Sequence, residues 1–273
     1  MSAGEQRHPL LGREVHRRFD DFGPIQVFED GNKRYLSFGT SDEQSCQLTA
    51  QPFVLQHDYL RAMLTVLVQF TQHDRAAPEN TTMTGPQPIS VLGLGGGLLA
   101  SALWQQFPET QIHAVELRAA VAQVAYQYFQ LPRDKRLTVH IDDAQHYVRQ
   151  LPARSQQLIF SDLYLAEGLN EVQQQQTFLQ DCARAVSEEG WLVLNLWKEH
   201  RADSELLPAL KALFTTVMQT TTHDGNWVIW ASHSPPQTKK QAQLHCKHWQ
   251  QQTDGRAPGF NPWKFCKLFY RYW

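Results

Sequence analysis

A glycine run and a handful of acids carry most of the chemistry this chain can offer. Gly95, Gly96 and Gly97 follow the apolar stretch Val91-Leu92-Gly93-Leu94 and precede Leu98-Leu99-Ala100. Glycines let a backbone turn tightly and come close to a ligand. A helix beginning after them points its free N–H groups back at the loop. Glu116 ends the next apolar stretch, "QIHAVEL", about 20 residues on, where a carboxylate can accept both hydroxyls of a ribose. Asp142-Asp143 ends a third stretch, "LTVHID", and suits an adenine amino group. Asp162 ends a fourth, with Tyr164 and Glu167 just beyond it. Tyr164 is expected to stack on or hydrogen-bond a substrate, and Glu167 is near enough to supply a second acid. The competing reading makes each of these a tight turn, a helix cap or a solvated loop residue.

The elements that must position these groups alternate. "ISVLGLG" reads as a buried strand and "GLLASALWQQF" as a helix. "QIHAVEL" and "RAAVAQVAYQYF", then "LTVHID" and "AQHYVRQL", repeat that order. So do "QQLIFSDLY" and "NEVQQQQTFLQDCARAV", and "GWLVLNLW" and "SELLPALKALF". Such strands suit a parallel sheet flanked by helices. In an open α/β sheet, ligands bind beyond the carboxyl ends of the strands, where the acids lie. Residues 215–233 break the rhythm, with two strands joined at Asp224-Gly225 and no helix between them. That makes an antiparallel pair. The expected fold is α/β and Rossmann-like: a mostly parallel sheet ending in an antiparallel hairpin, the layout of class I S-adenosylmethionine (SAM)-dependent methyltransferases. The Gly95–Ala100 spacing also fits a dinucleotide loop, but the acid pair and the closing hairpin argue against NAD.

Around this unit, residues 1–70 are expected to form a small β unit and a leading helix. "GPIQVFEDGNKRYLSFG" alternates about Asp30-Gly31-Asn32, a hairpin signal, and residues 57–70 carry helical periodicity. Residues 71–88 are polar and turn-rich, as a linker; 89–235 form the nucleoside-binding unit; 236–273 are a basic, aromatic tail. The tail is read as packing its aromatics on the domain or on a second subunit, with nucleic acid the weaker alternative. A net charge of −2 gives no global pull toward nucleic acid or an anionic membrane. No run is long and apolar enough to span a bilayer. Four scattered cysteines without a CxxC point to a reduced, cytoplasmic protein. "LHCKH" at 244–248 lacks a second half at metal-ligand spacing, so no metal is expected.

From about Gly23 to His200 the chain resembles the spermidine synthase family of aminopropyltransferases. The family's V-L-I-I-G-G-G-D-G-G loop, V-E-I/L-D strand end, D-G/A pair and D-S-S-D-P loop are matched in order. Here they read Val91 to Gly97, Val115-Glu116-Leu117, Asp143-Ala144 and Asp162-Leu163-Tyr164-Leu165-Ala166. The resemblance implies that Gly95 to Gly97 approach the nucleoside, Glu116 holds the ribose, and Asp143-Ala144, or Asp142 one residue earlier, meets the adenine. It also implies a substrate-facing Gln with His57 and Asp58, the Gln being Gln47 by spacing or Gln44, beside Ser45, in the other register, together with a small-molecule acceptor such as an amine, and a homodimer.

Two departures shape the functional expectation. Leu98 stands where the family has an Asp after its glycines, and Leu165 where it has the second Asp of its loop. Decarboxylated SAM carries an ammonium without a carboxylate, and a polyamine is a polycation; both need counter-charge in a dry site. The two leucines count against standard putrescine aminopropyl transfer. Leu98 does tolerate the carboxylate of intact SAM, which an Asp would repel. The expectation is a spermidine synthase-like transferase binding an adenosyl ligand: SAM, decarboxylated SAM or methylthioadenosine. The alternatives are methyl transfer to a small molecule and a non-catalytic nucleoside-binding homologue.

Overall fold

The structure, a computed structural model, describes residues 7–8, 10–40, 43–70, 85–165, 168–169, 171–202, 205–253 and 262–269. Its N-terminal part is an antiparallel sheet of β1 (Arg7–His8), β2 (Gly12–Asp20), β3 (Gly23–Asp30), β4 (Lys33–Ser37) and β5 (Ser45–Leu48), paired in sequence order. The expected hairpin is present. Asp30 pairs with Lys33, and Gly31 at φ 60° takes the left-handed corner, a position that favours glycine at the first place of a two-residue turn. β2 was not expected. Its sequence, Gly-Arg-Glu-Val-His-Arg-Arg-Phe-Asp, is too charged to alternate, and only Gly12 in it is fully buried.

The helical run after it is shorter than its periodicity suggests. α1 (Asp58–Leu64) tightens into a 3-10 stretch at Thr65–Gln69, where Thr65, Val66 and Val68 crowd their χ1 rotamers in a helix. Of the expected 71–88 linker, residues 71–84 lie outside the described residues.

The second sheet carries the alternation. In chain order come β6 (Ile89–Leu92), α2 (Leu98–Gln106), β7 (Ile112–Glu116), α3 (Ala119–Tyr128), β8 (Leu137–Ile141), α4 (Ala144–Gln150) and β9 (Gln156–Ser161). A short antiparallel ribbon, β10 (Tyr164–Leu165) and β11 (Gly168–Leu169), precedes α5 (Gln176–Ala185), β12 (Val186–Trp197) and α6 (Leu206–Leu213). β13 (Thr216–Thr221) and β14 (Asn226–Ser232) close the sheet. Its seven strands lie in the order β13-β14-β12-β9-β6-β7-β8. β12, β9, β6, β7 and β8 are parallel; β14 runs antiparallel to β12, and β13 to β14. This is the expected sheet with its terminal hairpin. β12 begins earlier than expected, at Val186, and slips register before Trp191, so the polar Ser187-Glu188-Glu189 belongs to an irregular strand start and not to a loop.

Alternate strand residues feed two cores. Val91, Phe160 and Val193 pack with α1, α2 and α3 on one face. Leu92, Ile159 and Leu194 pack with α4, α5 and α6 on the other. Both faces are covered, so all side chains of β6 are buried, as a central parallel strand requires. The described tail forms α7 (Lys239–Thr253) and α8 (Pro262–Phe269). Phe269 is buried with its ring 5.7 Å from Trp191 and 6.0 Å from Trp230. It serves packing and offers no stacking surface. Among the described residues no helix is long and apolar enough to cross a membrane.

Candidate functional site

The carboxyl ends of β6, β7, β8, β9 and β12 open into one cavity of about 730 Å³, roofed by residues of the N-terminal sheet and α1. That volume is within the usual range for small-molecule sites.

One half of the cavity is made of backbone turns and strand-end acids. Gly93, at φ 88°, leaves β6 where a Cβ would sit 2.1 Å from the Asp162 carbonyl oxygen. Only glycine permits this approach, and it brings Asp162 beside the glycine loop. The Asp162 N–H donates to the Leu92 carbonyl at 2.9 Å. Gly95 lines the cavity with Gly93 and Leu94. Gly96 and Gly97 do not: the Gly96 N–H donates to Ser45 Oγ at 2.9 Å, and Gly97, at φ 76°, starts α2 against Leu131. They shape the loop and dock it on the first sheet. Glu116 is buried and accepts the N–H groups of Leu94 at 3.1 Å and Arg118 at 2.9 Å, with that of Gly95 nearby. Burial raises its carboxyl above the usual range in spite of these bonds. Asp142, Asp143 and Ala144 line the far wall. Asp143 caps α4 through the His146 N–H at 3.0 Å, and Asp142 lies 2.8 Å from His146 Nδ1.

Arg118 belongs to this half and was not anticipated. Its guanidinium donates to Asp20 at 2.7 and 3.0 Å and to the Gly23 carbonyl at 2.9 Å, and lies 4.6 Å over the Phe38 ring. Its Nη1 is buried without a partner, and both Arg118 and Phe38 line the cavity. The signal was present in the sequence: the resembling family has Asp at the place of Arg118.

The other half is a side-chain network. Asn195 on β12 donates to Asp162 Oδ1 at 2.7 Å, and Asn226 on β14 donates to Asn195 Oδ1 at 3.2 Å. The Tyr59 hydroxyl of α1 also hydrogen-bonds Asp162. Burial pushes the Asp162 carboxyl up to about 6, against the lowering effect of Asn195 and Tyr59. Tyr164 stands beside it with its ring 5.8 Å from Trp197, and its buried hydroxyl, near Asn226, lacks a well-formed hydrogen bond. His57 faces Glu43, with Nδ1 3.6 Å from Oε1 and Nε2 unpartnered; burial lowers its pKa. Leu98 is buried and lines the cavity, following Gly95 in sequence along the loop into α2.

Besides Gly96 and Gly97, two further sequence expectations fall elsewhere. Gln47 is buried outside the cavity, where its Nε2 donates to the Phe129 carbonyl at 2.8 Å and ties β5 to the end of α3. Asp58 pairs with Arg61 at 2.7 Å in the first turn of α1 and does not line the cavity. A helix puts consecutive residues on different faces, so of the run His57-Asp58-Tyr59 the acid turns outward. Tyr59, not singled out from the sequence, reaches the site. Glu167 lies outside the described residues, and Leu165 is placed by its backbone pairing with Gly168 alone.

The residues present fit an adenosyl ligand. A strand-end carboxylate, an acid pair and an orphaned buried donor surround one end, and a titratable acid stands at the other. No family model matches the chain. It is similar to the polyamine aminopropyltransferase of Neisseria meningitidis serogroup A, with 26% identity over 84% of this chain and 83% of that protein. It is also similar to the human eEF1A lysine and N-terminal methyltransferase, with 29% identity over 47% of this chain and 20% of that one. Among solved structures, a probable spermidine synthase from Corynebacterium glutamicum matches with a TM-score of 0.68 and 18% identity, over 96% of this chain and 94% of that one. Human methyltransferase-like protein 13, in complex with SAH, matches with a TM-score of 0.60 and 21% identity, over 73% and 93%. The solved structures bear out the α/β fold, and the sequence similarity fits a divergent member of the spermidine synthase family.

Proposed function

We propose that the chain is a transferase that binds an adenosyl sulfonium ligand and moves one of its carbon groups to a small-molecule amine. Asp162 carries the reading: a titratable carboxyl at the cavity floor, held by Asn195 and Tyr59, on the same sheet edge as Glu116. A sulfonium ligand supplies an already activated carbon. The chain has to align a nucleophile and take its proton. Glu116 and Asp143 hold the nucleoside, with Gly95 giving it room. Asp162 accepts the proton of the incoming amine, while Tyr59 and Asn195 keep its carboxylate aimed. Tyr164, Trp197 and His57 wall the acceptor end.

Intact SAM is the ligand this reading favours, because the apolar Leu98 leaves its carboxylate unopposed and gives the ammonium of decarboxylated SAM no partner. Methyl transfer is therefore the second reading, and Leu98 is the observation that favours it over aminopropyl transfer. Calorimetry with SAM, decarboxylated SAM and methylthioadenosine tests the proposal. SAM or methylthioadenosine is expected to bind, and Glu116→Ala to weaken binding about 100-fold, as for a lost charged hydrogen bond. No binding of any of the three would sink the adenosyl reading.

A further inference from the structure

Four glutamines follow one another at 173–176, and of these only Gln173 is buried. It lies in the 3-10 stretch Glu171–Gln174, at 0% exposure, and does not line the cavity. A buried amide costs free energy unless its groups find partners. The partners of Gln173 all surround Asp162. Its Oε1 accepts from the Ser161 hydroxyl at 2.6 Å. Its Nε2 donates to the Leu163 carbonyl at 3.1 Å and to the Asn195 carbonyl at 3.4 Å. Ser161 and Leu163 flank Asp162 in the chain, and the Asn195 side chain donates to the Asp162 carboxyl at 2.7 Å. Ser161 ends β9 and pairs with Leu194 of β12, so one side chain spans two adjoining strand ends.

We propose, resting on the reading of Asp162 as the group that takes the acceptor's proton, that Gln173 is a positioning residue for it. By holding the chain on both sides of Asp162 together with the strand end that carries Asn195, Gln173 sets where the carboxyl stands in the cavity. The Leu163 bond also anchors the residue before Tyr164, so the ribbon β10–β11 starts from the same point.

Methionine in place of Gln173 keeps a side chain of similar length and takes away all three bonds. The Ser161 hydroxyl and two main-chain carbonyls then lose a buried partner. Asn195 is freed to turn away, and the Asp162 carboxylate loses a donor that favours its charged form. The titratable groups facing Asp162 are the phenols of Tyr59 and Tyr164. Burial and the Asp162 charge hold both above the usual range, so neither ionises while Asp162 does.

An NMR titration of the full chain, with carbon-13 at the aspartate Cγ, reads that carboxyl directly. The Asp162 signal is the one missing from Asp162→Asn. Gln173→Met is expected to raise its midpoint by about one pH unit, the worth of a weakened hydrogen bond to a charged group. The other aspartate signals, such as that of Asp20 beside Arg118, are expected to stay in place. Methylthioadenosine affinity, read by calorimetry, is expected to change less than about threefold, since Gln173 does not line the cavity. Ser161→Ala removes a single bond and is expected to move the midpoint the same way by less, which keeps the measurement decisive if Gln173→Met folds poorly. An unmoved midpoint in a folded variant, or an equal shift of all the aspartates, would overturn the proposal. Failure of methylthioadenosine to bind the unaltered chain counts against the adenosyl reading alone, because the midpoint comparison needs no ligand.

Discussion

The half of the cavity around Glu116, proposed to take the nucleoside, is built largely from main-chain turns and strand-end acids. The half around Asp162, proposed to take the acceptor, is built from a side-chain network drawn from three elements. Around Glu116 the partners are N–H groups of Leu94 and Arg118, set by strand ends that adjoin in the sheet. Around Asp162 they are Tyr59, Asn195 and, behind it, Asn226, from α1, β12 and β14. A backbone-built site keeps its geometry while many side chains vary. A side-chain network depends on every member, since losing one leaves a buried polar group unsatisfied. The nucleoside end should therefore tolerate divergence, and the acceptor end should set the reaction.

Several substitutions can break or sharpen this contrast. The largest effect is expected from Gly93→Ala, which drives a Cβ into the Asp162 carbonyl at a left-handed φ. It should cost about 4 kcal/mol or more of stability, or prevent folding, as read by denaturant titration; a loss under 1 kcal/mol would show that the two strand ends can separate freely. Next, Asp162→Asn should lower single-turnover transfer about 10²–10⁴-fold while ligand affinity by calorimetry changes less than about threefold. The sign of its pH dependence follows from the raised carboxyl. Asp162 is protonated below about pH 6 and cannot then take a proton, so transfer should rise with pH through that value, and equal rates at pH 5 and 7 would remove it as the base. Because the folded state holds that proton more tightly than the unfolded chain, the stabilisation linked to this group is present at low pH and declines as pH rises through about 6.

Leu98→Asp is milder and tests ligand choice. It should weaken SAM about tenfold and strengthen decarboxylated SAM by a similar factor. An unchanged ratio would place the ligand's tail away from α2. The smallest effect belongs to Asp58→Asn. Its pair with Arg61 is largely exposed, so stability should move by less than about 0.5 kcal/mol and ligand affinity by less than twofold; a larger affinity change would put α1 in a different rotation.

The contrast also explains what the sequence revealed. The sheet, its closing hairpin and the strand-end acids were legible because buried parallel strands and glycine turns leave short, contiguous patterns. Glu116, Asp142, Asp143 and Asp162 all line the cavity for that reason. The acceptor network was not legible, because Tyr59, Asn195 and Asn226 are ordinary residues in sequence and become a set through strand order. A one-residue choice of helix face separated Asp58 from Tyr59. Gln47 was expected at the substrate from the spacing of the resembling family, but its amide meets a main-chain carbonyl, and Gln44, the other register, lines the cavity. β2 was hidden by its charges; Arg118 was marked by its departure from the family's Asp, but its pairing with the distant Asp20 had no local cue.

The glycine loop has one more consequence, in its choice among anions. Loops of this shape hold pyrophosphate in other folds by presenting bare N–H groups. Here the Gly96 N–H is already taken by Ser45, and Leu94 turns its own toward Glu116. A polyphosphate arriving at this loop would find few unoccupied donors and would meet a carboxylate. The first sheet, by lending one serine hydroxyl, takes up a donor that a polyphosphate would need, so this loop is poorly set to hold one.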